Sequence, residues 1–181
     1  TREDAPGTQA NRLSNAEALS LFVEDHINFD RLDITAGLRF ETVDSQQTRW
    51  SGPARDAATI IRQRNNSYNV WLPALSAKYD LTNTLSVLGG VHRGFAAPSV
   101  GSSNTVEPEE SNVFEGGVRY RSEQGLKLEA IGFFNDYSNM LGDCTNFAPC
   151  DSGDTGDSNN GGEVDVLGLE VTGSFDLASL W

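Results

Sequence analysis

Four arginines, Arg49, Arg55, Arg62 and Arg64, stand in a polar stretch at 44–67 whose acids are Asp44 and Asp56. The chain as a whole carries 26 acidic and 13 basic residues, a net charge of −13, so this stretch is a positive island. A guanidinium is a planar fork that binds carboxylates with two parallel hydrogen bonds, and the grouping points to capture of an anion. An ordinary solvated loop, its arginines paired with the neighbouring acids, fits the same residues. His92 and Arg93 add an imidazole and a fifth guanidinium that can contact a ligand, although a lone histidine also serves as a structural residue.

A second group has the opposite sign. Asp136, Asp143, Asp151, Asp154, Asp157, Glu163 and Asp165 occur with no basic residue among them. Asp151, Asp154 and Asp157 present the hard, closely spaced oxygens that calcium prefers, but the glutamate that ends an EF-hand loop is missing. Solvated acidic loop is the alternative reading. Cys144 and Cys150 lie in this stretch at a spacing that is not a zinc pattern, and no further ligand stands beside them. They read as a local disulfide in an oxidising compartment, against two free thiols in a reducing one.

Other chemistries find no support. No nucleophile elbow, phosphate-binding loop or metalloprotease helix motif occurs, so no enzyme or cofactor is expected. Nothing basic and contiguous is present to neutralise phosphates, which disfavours nucleic acid.

The elements that must position these residues are strands. Leu32, Ile34, Ala36, Leu38 and Phe40 alternate with Asp33, Thr35, Gly37, Arg39 and Glu41, the period-two signature of a half-buried strand. Leu19, Leu21, Val23, Ile27 and Phe29 share one parity just before it, interrupted by Asp25, which implies a bulge or an interfacial depth. The turn at Asp30-Arg31 makes the two a hairpin. Further strands follow through Trp71, Pro73, Leu75, Ala77 and Tyr79, then Leu85, Val87 and Val91, then Phe114, Gly116, Val118 and Tyr120. Leu126, Leu128, Ala130, Gly132 and Phe134 form the next, and Leu167, Leu169, Val171, Phe175 and Leu177 the last. Pro73 lacks a ladder donor, so a bulge or a local loss of pairing is expected there. Residues 1 to about 16 read as loop, and long loops are expected at about 43–67, 94–111 and 137–162. Seven strands of about ten to fourteen residues, joined by alternately short and long connections, are the pattern of a transmembrane β-barrel. No apolar run approaches the ~18 residues of a membrane helix. Trp71 and Tyr79, near opposite ends of one strand, stand where interfacial aromatics belong.

Linked motifs at 91–170 resemble the TonB-dependent receptors, outer-membrane barrels that import mostly ferric chelates. The motifs are Val91-His-Arg-Gly-Phe-Ala-Ala-Pro-Ser99, Val106-Glu-Pro-Glu-Glu-Ser111 and Gly117-Val-Arg-Tyr120. The likeness continues through Ala130-Ile-Gly-Phe-Phe-Asn-Asp-Tyr-Ser-Asn139 and Gly162-Glu-Val-Asp-Val-Leu-Gly-Leu-Glu170. Details around Asn139-Met-Leu-Gly-Asp-Cys144 are similar to receptors of the ferric-citrate type. The resemblance implies that residues 1–181 are part of a 22-stranded barrel whose plug domain lies outside this sequence. It also implies a Gram-negative outer-membrane location with loops at the cell surface, contact with lipid, a ferric chelate as ligand, and a periplasmic TonB-type coupling protein reached through the plug. Arg49, Arg55, Arg62, Arg64, His92 and Arg93 are then the candidate ligand residues. The start Thr-Arg-Glu-Asp is no export signal, so an exported chain is expected to have been processed. A passive porin or adhesin-like barrel and a soluble β-domain for binding are the other classes the pattern admits.

Overall fold

The computed structural model describes residues 11–51, 55–145 and 158–176. Seven strands form one antiparallel sheet: β1 (Asn11–Phe29), β2 (Leu32–Trp50), β3 (Ile60–Asp80), β4 (Leu85–Ala96), β5 (Glu109–Arg121), β6 (Leu126–Ser138) and β9 (Val164–Phe175). Their order in the sheet follows the chain, β1-β2-β3-β4-β5-β6-β9. Between β6 and β9 the chain makes a separate small hairpin of β7 (Leu141–Asp143) and β8 (Ser158–Asn160). A single 3-10 turn at Ala57–Thr59 starts from Asp56, whose carboxylate accepts a hydrogen bond from the Thr59 N–H.

Asp30, with φ of 50°, and Gly125, with φ of 84°, shape two of the short turns, where a left-handed residue matches the twist of the flanking strands. All short turns lie at one end of the sheet and the long connections at the other, as the alternation predicts.

The sheet has almost no core. Among the described residues only Val70, Val106 and Cys144 are buried hydrophobics, while Leu21, Val23, Leu167, Leu169 and Val171 are strongly exposed, and Phe22, opposite Arg39, is exposed on the other face. Register explains the pattern. On one face Leu21 opposes Phe40, Val23 opposes Leu38, Ile27 opposes Ile34 and Phe40 opposes Trp71. The same face continues through Leu75 and Val91, Val91 and Phe114, Phe114 and Phe134, then Phe134 and Leu167. A continuous apolar face without a partner layer is what lipid covers in a barrel wall.

Two aromatic belts bound that face. Phe40 and Trp71 meet with ring centroids 4.7 Å apart, and Phe114 and Phe134 stack at 6.2 Å, on the long-loop side. Phe29, Tyr79, Tyr120 and Phe175 occupy the bottom rungs on the short-turn side. From Trp71 to Tyr79 the strand advances about 26 Å at ~3.3 Å per residue, or about 20 Å vertically at a ~40° tilt, comparable to the ~25 Å apolar band of such barrels.

Four expectations change. The loop read at 43–67 is mostly paired strand, because β2 runs to Trp50 and β3 starts at Ile60. The segment read as loop up to residue 16 is likewise strand from Asn11. Both segments carry polar side chains on each face, so no hydrophobic period marks them. At Asp25 there is no bulge: β1 and β2 keep straight register, Asp25 opposite Ala36, and the sole shift in β1–β3 falls at Arg49/Trp50, between β2 and β3. The loss of pairing expected at Pro73 does occur, on one side: Pro73 stays in register opposite Leu38, while the β3–β4 ladder stops at Ala74 and His92. The remaining loops are also shorter than read, 97–108 and the β7–β8 excursion.

Candidate ligand-binding surface

The hairpin built by β2 and β3, with β1 alongside, continues well beyond the aromatic belt and sorts its charges by face. On the inner parity, Arg12 lies opposite Arg49 and Arg49 opposite Arg62, a row of three guanidinium-bearing positions across three strands. Arg64 follows one inner position further along β3, opposite Gln47. On the outer parity, Glu17 lies opposite Asp44. The acids nearest in sequence therefore face away from the arginine row, and Asp56 is engaged in capping the 3-10 turn. Directly opposed residues hold their Cβ atoms about 4.5–5.5 Å apart, and like charges at that spacing are unfavourable. A carboxylate between such forks offsets the repulsion, and neither Arg62 nor Arg64 is without a partner.

The other sequence candidates divide. Arg55 donates to the Asn11 side-chain oxygen at 2.8 Å and lies over the Trp50 ring at 5.3 Å. Asn11 and Trp50 are register partners on the outer parity, so Arg55 clips two strands together away from the row. Arg93 has the parity of Val91 and forms an ion pair with Glu110. His92 lies on the inner face opposite Ala74, at the top of the β3–β4 ladder. Arg49, Arg62 and Arg64 are thus brought together, while Arg55, Arg93 and His92 are not. Arg12 joins the group although no hydrophobic period marks its segment as strand.

Below the row, several inner-face charges form ion pairs. Arg39 contacts Glu41 at 2.6 Å and the Ser20 hydroxyl at 2.9 Å, and Lys78 bridges Asp33 at 2.9 Å and Asp80 at 3.2 Å. Arg119 pairs with Glu129 on the adjacent strand.

Beside the row, loop 97–108 folds back against β2 and β3. Gln47 donates from its amide nitrogen to the Val100 carbonyl at 2.9 Å and to the Ser14 hydroxyl at 3.0 Å. Arg64 donates to the Gly101 carbonyl at 3.1 Å. Asn66 donates to the carbonyls of Ser103 and Val106 at 2.8 and 2.9 Å. Tyr68 and Phe95 meet edge to face across the gap left by the parted strands, at 6.3 Å. An adjoining cavity of about 380 Å³ is lined by Tyr68, Asn69, Asn104, Glu107 and Glu110.

The acidic group is only partly visible. Asp151, Asp154 and Asp157 lie outside the described residues, and among the described residues no cluster of three or more potential metal ligands occurs. Cys144 is buried and holds no free thiol. Cys150, its expected partner, lies outside the described residues.

Residues 2–181 match the family described as TonB dependent receptor-like, beta-barrel. Among solved structures, the ferric citrate transporter FecA in its unliganded form superposes with a TM-score of 0.73 at 27% identity, over 96% of this chain and 24% of that one. The siderophore receptor PiuA from Acinetobacter baumannii gives 0.70 at 17% identity, over 91% and 24%. The ferric yersiniabactin uptake receptor FyuA from Yersinia pestis gives 0.69 at 23%, over 93% and 25%. The chain thus spans about a quarter of the length of these receptors. The apolar wall, the belts, the end-sorted turns and the family match agree: the chain belongs to the TonB-dependent receptor β-barrel family, of the Gram-negative outer membrane.

Proposed function

We propose that this chain is part of a receptor that takes up an anionic ferric chelate of the citrate type, with Arg12, Arg49, Arg62 and Arg64 as its positive contact surface. The observation that carries the reading is the in-register row of Arg12, Arg49 and Arg62 on the inner face, with Glu17 and Asp44 turned outward. A tricarboxylate complex offers several carboxylates to several forks at once, which suits a row better than a point charge. The likeness to a ferric citrate transporter at 27% identity supports the same ligand class. Energy coupling enters through a plug and a periplasmic TonB-type protein, both outside this chain. Arg55, Arg93 and His92 contribute at longer range or hold the wall.

The test is binding of ferric citrate to the full-length receptor carrying single substitutions, at low and high salt. Arg49→Lys and Arg62→Lys keep the charge but lose the fork, and each should weaken binding roughly ten- to hundredfold, the equivalent of about 1.5–3 kcal/mol. Arg55→Lys should change affinity little, and any effect should fade at high salt, since exposed charges are screened beyond about 8–10 Å. Wild-type affinity in all the row variants, at both salts, overturns the site. Uptake that persists without the coupling protein favours a passive barrel instead.

A further inference from the structure

Loop 97–108 is tied down at both ends of its path. Gln47 holds its start at Val100 to β2, and Asn66 holds its middle and later part at Ser103 and Val106 to β3; both are more than nine-tenths buried, and their amides are spent on its carbonyls. Gly101, at φ of 97°, presses its Cα against the Gln47 amide, so closely that a Cβ there would stand 2.4 Å from the Gln47 side-chain carbon. At the other end, Asn160 of β8 grips the loop as a strand partner would. Its side-chain oxygen accepts from the Glu107 N–H at 2.9 Å, and its nitrogen donates to the Glu107 and Asn139 carbonyls, each at 2.9 Å. Asn139, at φ of 55°, donates to the Glu107 carboxylate at 3.1 Å, and the Leu141 N–H donates to the Glu109 carboxylate at 3.0 Å.

A run of hydrogen bonds therefore leads from the small hairpin, through loop 97–108, to Arg64. Two-sided backbone pairing by an asparagine resists sliding in both directions, and buried amides are costly to strip of their partners. We propose that loop 97–108 is a fixed strut that couples the β7–β8 hairpin to the arginine row, with Asn160 and Asn66 as positioning residues for Arg64. The chelate contact is thereby sensitive to residues that never touch the ligand. This inference rests on the anion-site reading for its consequence, though not for its mechanics.

The mechanics are read first in the unliganded full-length receptor, by amide hydrogen exchange. Asn160→Ala should speed exchange at 99–106 as well as at 141–143, by about tenfold or more, since both belong to one opening unit. Asn160→Asp keeps the acceptor for the Glu107 N–H but loses both donated bonds, and should fall between. Faster exchange confined to 141–143 in both variants overturns the strut. The second reading is ferric citrate binding. Asn160→Ala should weaken it about three- to tenfold, with the loss abolished in an Arg64→Ala background, a non-additivity that a merely structural lesion would not produce. Full and equal losses in both backgrounds also overturn the proposal. A wild-type receptor that does not bind ferric citrate refutes the ligand reading, while the exchange result still decides the strut.

Discussion

The lipid-facing wall and the part of β1–β3 that rises above it are one continuous sheet held by different physics. In the wall, side chains on the outer face need only be apolar, and their neighbours are interchangeable: Leu167, Leu169 and Val171 stand largely exposed along β9, the edge strand of the described sheet, on the face that meets hydrocarbon. Above the belt, every hold is specific. Gln47, Asn66 and Arg64 each meet named carbonyls, and Arg55 closes over one ring. A wall of the first kind tolerates change within a class; a structure of the second kind tolerates it only where no hydrogen bond is lost.

The difference can be broken most forcefully within the wall. Leu38→Arg places a charge on the outer face between the belts and should cost roughly 2–4 kcal/mol in the intact barrel. Thr35→Arg, on the inner face opposite Ser76, should cost far less. Denaturant unfolding of the two variants in detergent or lipid measures both, and equal penalties would show that the faces are assigned the wrong way round. Among the upper holds, a Cys144–Cys150 bridge should contribute at most about 2–3 kcal/mol, because it closes a short segment. Both thiols alkylating in unreduced native protein would remove it from the account. Smallest is Gly101→Ala. The left-handed backbone and the Gln47 amide both oppose a methyl group there, so a loss of about 1–2 kcal/mol is expected, felt in the strut's hydrogen exchange before global unfolding. An alanine variant with unchanged exchange at 99–106 would show that the loop yields easily.

The sequence announced the wall and concealed the extension for the same reason. Alternation arises where one face meets oil, so Leu32 to Glu41 was unmistakable. Beyond Phe40 both faces are polar, and Thr42, Asp44, Gln46 and Thr48 carry no period. Arg12 was nevertheless within reach: counting outward from the Asp30-Arg31 turn lands it opposite Arg49. That Arg93 would turn outward to Glu110 was also implicit in its parity with Val91. The latches of loop 97–108 were not legible, since they join residues 37 to 53 positions apart through backbone carbonyls that leave no trace in side-chain pattern. Asp25 is plain in both sequence and structure, a carboxylate on the outer face opposite Ala36, and nothing among the described residues accounts for it.

The order of strands in the sheet has a consequence in time. Each strand pairs with the one made just before it, apart from the excursion through β7 and β8, so the sheet can lengthen one hairpin at a time with a single growing edge. Contacts close in sequence form early because their loop-closure entropy is small. The bond from Gln47 to Val100 spans 53 residues and has no site to form until β3 and β4 are in place. Loop 97–108 is thus among the last pieces to settle, and a receptor caught mid-assembly would already have its wall while the arginine row still lacked its brace.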